Sequence, residues 1–183
     1  TPNYTAPKEF TITVTVTEKL AQAPLEYTGP RTVTYGQTVK LTFTGGNGTG
    51  EMQYEVLSIG SKGTVDKEKH LFTPTQSGVA YIKVTKAGDD TYEAAPSVLV
   101  TITVNKAPLT IKVLDQQIDV GEAAPDLKAP KENTHYTVTG LVKEGDLKGK
   151  AVMKYQQNGQ DVTPDTSTPG VYDITLTGLY TYT

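Results

Sequence analysis

Val98-Leu-Val-Thr-Ile-Thr-Val-Asn105 is the stretch that decides the fold. Val98, Val100, Ile102 and Val104 fall on one side of an extended chain, and Leu99, Thr101, Thr103 and Asn105 on the other. A period of two, with β-branched residues on the apolar side, describes a strand with one face on a core and one toward water. Tyr92-Glu-Ala-Ala-Pro96 stands ahead of it and Lys106-Ala-Pro-Leu109 behind. The same arrangement occurs near the start: Tyr4-Thr-Ala-Pro7, then Phe10-Thr-Ile-Thr-Val-Thr-Val-Thr17, then Ala23-Pro-Leu25. The alternating runs lie 88 residues apart and the Ala-Pro-Leu marks 84 apart, the size of a small β-sandwich. Loop, long strand and proline mark together read as the last strand of one domain feeding a stiff junction into the next. Residues 1–22 are therefore expected to be the terminal strand and linker of an upstream domain. Residues 23–106 then form one sandwich and residues 107–183 a second.

Working outward, the interval between the copies holds further alternating runs. Val39, Leu41 and Phe43 share a face within one strand predicted over 38–44, and Met52, Tyr54 and Val56 repeat the pattern. Leu71–Thr73 is a short strand, and Ala80, Ile82 and Val84 alternate with Tyr81, Lys83 and Thr85. Glycine-rich turns separate them at 45–50, 60–63, 77–78 and 88–90. Six or seven strands in about 80 residues, each apolar on one face, is the count of an immunoglobulin-like sandwich. In the third segment Leu109, Ile111 and Val113 alternate, Tyr136 and Val138 make another strand, and Asn158-Gly159 marks a tight hairpin. Val171, Asp173 and Thr175 oppose Tyr172, Ile174 and Leu176. Residues 144–150 read as a loop because of their two glycines. No closing β-run follows, so this second domain is expected to be C-terminally incomplete.

Composition agrees with an all-β reading. The chain has 183 residues, 31 of them Thr, with 17 Gly, 11 Pro and 11 Tyr, a profile of strands and turns rather than helices. The absence of Cys excludes a disulfide framework, a thiolate zinc site and a cysteine nucleophile, and two His cannot build a multi-histidine metal site. The net charge of −3 divides into −1 over residues 1–105 and −2 over 106–183, leaving no basic half for nucleic acid. No apolar run approaches the roughly 20 residues of a membrane helix, and no leader pattern precedes the first strand.

Each chemical candidate competes with a plainer role. The loop Gly45-Gly-Asn-Gly-Thr-Gly50 leads into an alternating strand and carries no Lys, so it lacks the helix N-terminus that a phosphate loop needs. Asp89, Asp90 and Glu93 offer oxygens to a calcium ion, yet adjacent aspartates point apart and suit an Asx turn better. His70 and His135 stand beside no serine elbow and read as surface or edge residues. A Lys–Asn or Lys–Asp isopeptide crosslink requires a facing pair in the core, which spacing cannot reveal. Paired carboxylates for glycoside hydrolysis lack a deep cleft to work in. Tyr81, Tyr180 and Tyr182 are the side chains best suited to stacking on a sugar. The expectation is no catalytic residue, no metal and no cofactor.

Tyr35-Gly-Gln-Thr38, the 44–50 loop, Lys86-Ala-Gly-Asp-Asp-Thr-Tyr-Glu-Ala-Ala95 and Val100-Thr-Ile-Thr-Val-Asn-Lys-Ala-Pro108 resemble the Ig-like repeats of large bacterial cell-surface proteins. Lys106–Ile111, Tyr136-Thr-Val-Thr-Gly-Leu141, Glu144-Gly-Asp-Leu147 and Pro169-Gly-Val-Tyr-Asp-Ile-Thr-Leu176 resemble the MBG-type repeat that often follows them. One departure is Asp119-Val-Gly-Glu122, where such a repeat opens with a Tyr-Gly-Asp-like turn. The resemblance implies tandem immunoglobulin-like sandwiches, extracellular, at a bacterial surface or secreted. It implies a stalk or spacer without enzymatic activity, whose partners are neighbouring domains of the same chain and a host glycan or protein. The alternatives are a glycan- or mucin-binding adhesin module and an accessory domain of a secreted carbohydrate-active enzyme. Neither nucleic-acid binding nor membrane insertion is expected.

Overall fold

A computed structural model describes residues 3, 9–60 and 62–181, and among them the chain forms fourteen strands and no helix. Tyr4–Pro7, Ser61 and Tyr182 lie outside the described residues.

The stretch read first is β9 (Val98–Asn105), and it lies inside a sheet. One neighbour is β8 (Gly78–Lys86), antiparallel, with Ile82 opposite Val100 and Ala80 opposite Ile102. Its other neighbour is β2 (Thr32–Thr34), parallel, with Val33 opposite Val104. The parallel ladder is continued by Thr103 N–H to the Arg31 carbonyl and Tyr35 N–H to the Asn105 carbonyl, both 2.8 Å. β5 (Met52–Val56) closes the sheet beyond β8, giving the order β2-β9-β8-β5. A second sheet has β7 (Leu71–Pro74) between β3 (Val39–Lys40) and β6 (Gly63–Asp66). β1 (Glu26–Tyr27) pairs with β4 (Phe43–Thr44).

The apolar faces meet in one core. Ala80, Ile82 and Val84 from β8, Val100, Ile102 and Val104 from β9, Val39 and Phe72 from the second sheet, and Leu41 just after β3 are all buried in it. The alternation read from the sequence thus faces inward, and burial of this kind is the main force holding two sheets together. Tyr27 packs its ring 5.4 Å from Phe43 and donates its hydroxyl to the Pro30 carbonyl. Burial raises its pKa, opposed by the Arg31 guanidinium over the ring.

The strand predicted over 38–44 is two strands. Val39 pairs with Phe72, whereas Phe43 pairs with Tyr27, so the chain leaves one sheet for another within four residues. Leu41 spans the change, with its side chain in the core and its N–H on the His70 carbonyl at 2.7 Å. A continuous period of two hides such a switch, because both partners take the same alternating face.

The remaining strands follow Pro108. β10 (Thr110–Val113) pairs with β11 (Tyr136–Thr139), and β12 (Leu147–Gln157) lies between β13 (Gln160–Asp161) and β14 (Asp173–Thr181). The Asn158-Gly159 hairpin forms as expected, both residues with positive φ, 53° and 76°. The loop expected over 144–150 ends early. β12 begins at Leu147 and absorbs Gly149 in a register shift between Gly149 and Val152. This part buries little: Leu127, Ala151 and Met153 are its buried apolar residues.

The run Phe10–Thr17, read as a terminal strand, bonds to no strand among the described residues, and Phe10, Ile12, Val14 and Val16 are 81–91% exposed. It is tied to the sandwich from Lys19 onward, whose ammonium donates to the Asp89 carbonyl at 2.5 Å. Leu20 forms a parallel bridge with Tyr92, its N–H on the Thr91 carbonyl at 2.8 Å.

Candidate functional site

Three places bring the singled-out residues together, and the first is the end of the sandwich where Leu20 enters. Asp89 Oδ1 accepts from the N–H groups of Thr91 and Tyr92 at 2.9 and 2.8 Å, an Asx turn. Its Oδ2 accepts from Thr49 N–H at 2.6 Å and from the Thr49 hydroxyl at 3.0 Å. These bonds hold the carboxyl well below the usual range, the Thr49 N–H first and then those of Tyr92 and Thr91. Gln22, buried, donates to the Ala87 and Glu93 carbonyls and accepts from Gly48 N–H. Asn47 Oδ1 accepts from Ala23 N–H, and Lys86 Nζ donates to the Gly46 carbonyl.

The glycine loop and the aspartate turn are therefore one hydrogen-bonded cap. The loop is pinned to residues 22–23 and 86–89, and its amides face partners of the chain itself. Asp89 is surrounded by hydrogen-bond donors, which a cation would have to displace, and no cluster of three His, Asp or Glu suited to a metal occurs among the described residues. A Cβ on Gly48 would stand 2.8 Å from Asp89 Oδ2, so the close approach explains the glycine. Gln22 was not singled out from the sequence. A polar residue inside Leu20-Ala-Gln-Ala-Pro24 carries no signal of burial beyond its place before the proline mark.

The second place is a cleft of about 430 Å³ where the two groups of strands meet, lined by Tyr35, Ser77, Lys106, Leu141, Val142 and Asp146 among others. Tyr35 donates its hydroxyl to Asp146 Oδ2 at 2.8 Å, which raises the tyrosine pKa, with burial and the negative charge adding in the same direction. A Cβ on Gly36 would meet Val142, so that turn also packs across the junction. The third place is a cleft of about 420 Å³ beside β14, lined by Ile118, Val120, Tyr155, Val171, Tyr172 and Ile174 among others. Both are larger than the shallow surface expected of a small sandwich.

The histidines sit apart from these clefts. His70 occupies a positive-φ turn ahead of β7, and its Nδ1 is 2.7 Å from the Tyr54 hydroxyl. His135 is buried rather than at the surface, because its Nδ1 accepts the Lys131 N–H at 3.0 Å and so closes the turn before β11. A single His before Tyr136 could not reveal that turn, which depends on a residue four positions back. Lys154 with Asp161 and Lys69 with Asp66 are exposed ion pairs, unlike the enclosed pair an isopeptide requires. Tyr81 is half-buried under Gly60, and Tyr180 is the exposed tyrosine of the described residues.

Comparison with protein-family models, with curated proteins and with solved structures finds no match for this chain.

Proposed function

We propose that the chain is a spacer, two immunoglobulin-like β-sandwich units of an extracellular bacterial surface or secreted protein, with no catalytic role. The observation that carries this reading is the area left to water. The accessible surface is 13245 Å², against about 8,600 Å² for a compact protein of this mass. Part of this excess is the exposed run Phe10–Val16, and the rest suits separate thin units in series, as does a core that gathers only residues between Leu25 and Val104. Polar groups support it too: Asp89, Gln22, Asn47 and Asp146 all bond to the chain itself, bracing an end and a junction.

The junction is built for stiffness. Pro108 stands three residues past the end of β9, and the Tyr35–Asp146 hydrogen bond ties the first unit to the loop before β12. Small-angle scattering at low concentration tests the reading. Units in series give a radius of gyration of about 20 Å or more, and a value near 16 Å, that of one compact 183-residue body, contradicts it.

A further inference from the structure

We propose that the cleft beside β14 takes residues 10–17 of a second copy of this chain as an added strand, so that copies join head to tail. The first sandwich shows what such a cleft accommodates. There β9 runs between β8, antiparallel, and β2, parallel.

The later strands repeat every part of that arrangement except the middle one. Gly78-Val-Ala-Tyr-Ile-Lys-Val-Thr85 of β8 matches Gly170-Val-Tyr-Asp-Ile-Thr-Leu-Thr177 at β14, with Ile82 and Val84 falling on Ile174 and Leu176. The pairing on one side matches as well. Val56 and Tyr54 of β5 stand opposite Ile82 and Val84, as Tyr155 and Met153 of β12 stand opposite Ile174 and Leu176. The counterpart of β2 is 116–120. Tyr35-Gly36 ends β2 in a turn with Gly36 at φ 91° and Gln37 N–H on the Thr34 carbonyl. Val120-Gly121 makes the same turn, with Gly121 at φ 92° and Glu122 N–H on the Asp119 carbonyl.

Between these two elements lies the 420 Å³ cleft, with Ile118, Val120, Tyr172 and Ile174 on its walls. β14 is an edge strand, bonded to β12 alone among the described strands, and 116–120 joins no ladder. Open strand edges of this kind are templates for strand addition.

Residues 10–17 have the matching form. Phe10, Ile12, Val14 and Val16 occupy the positions that Val98, Val100, Ile102 and Val104 hold in β9, and they are exposed. The β9 register, carried over, sets Phe10 opposite Leu176, Ile12 opposite Ile174, Val14 opposite Tyr172 and Val16 beside Ile118. Leu20 anchors the segment at the end where β9 begins, while the cleft belongs to strands that follow the end of β9. Donor and acceptor thus lie at opposite ends of the first sandwich, and a contact between unlike patches grows into an open chain of copies. This holds whether or not the protein serves as a spacer.

Because the chain has no Cys, a disulfide assay reads the register directly. Full-length Thr11→Cys is mixed under mild oxidation with size-tagged Thr175→Cys, an outward pair in the proposed ladder within disulfide reach. The mixed dimer should exceed, by about tenfold or more, that formed with tagged Gln53→Cys on the edge strand β5, and Val14→Asp in the donor should reduce it to that level. A yield equal to the Gln53→Cys control assigns the cleft to some other strand and overturns the proposal. A high yield indifferent to Val14→Asp overturns it too, since the apolar face would then not be what enters.

Discussion

Ile82 and Ile174 occupy matching places in β8 and β14, yet the structure assigns them different weights. Ile82 is 0% exposed, flanked by Val56 on one side and Val100 on the other. Ile174 is half-buried, flanked by Tyr155 on one side only. Truncating a fully enclosed Ile to Ala loses its transfer free energy and leaves a cavity, about 4 kcal/mol together. For Ile174 the cleft already admits water, so the cavity contribution falls away and the cost is about 1–2 kcal/mol. A unit the size of the first sandwich has roughly 4–12 kcal/mol of stability, so Ile82→Ala removes a large part of it. At about 1.5 kcal/mol per molar urea, the first unit's midpoint falls by nearly 3 M while the second's stays in place. Urea titration followed by far-ultraviolet circular dichroism, with tyrosine fluorescence as a second probe, reads both. Equal costs for the two variants, or a loss below about 1 kcal/mol for Ile82→Ala, would refute the reasoning.

Acidification should loosen the cap around Asp89. Its pKa is lowered in the folded chain, so its contribution is complete above the ordinary carboxylate range near 3.8 and fades as pH falls below it. Amide protection factors at Thr49 and Tyr92, corrected for the intrinsic pH dependence of exchange, should fall below about pH 4, and Asp89→Asn should show that lower protection already at neutral pH. Tyr35→Phe removes the hydroxyl bonded to Asp146 and should cost less than about 1 kcal/mol of stability. The same change should decouple the tumbling of the two units in nitrogen relaxation. Gly149→Ala should unfold the β12–β14 sheet, because φ is 90° and a Cβ there runs into the Gly178 carbonyl. Loss of the Met153 and Leu176 methyl signals, with those of Ile82 retained, checks it.

The period of two in Val98–Asn105 made β9 legible, since its extended form and its buried face follow from that pattern. Asn158-Gly159 was equally plain, its turn needing positive φ at both residues. What the pattern could not show is partner identity. Val39 and Phe43 share one alternation but join different sheets, and Phe10–Val16 alternate as well as β9 does yet stand exposed. Local periodicity states that a face must be covered, and only long-range pairing states by what. The cap escaped for a similar reason. Asp89 was read as a turn residue, but its bond to Thr49 and the burial of Gln22 arise from loops 40 and 26 residues apart meeting at one end.

Stretching the chain between its ends in a force microscope tests the central claim most directly. Two units in series should unfold in two separate events, each lengthening the chain by roughly 25 nm, as expected for 70–80 residues drawn out from a folded span. A single event of twice that length, or smooth extension without a peak, would contradict the account of two independent load-bearing sandwiches.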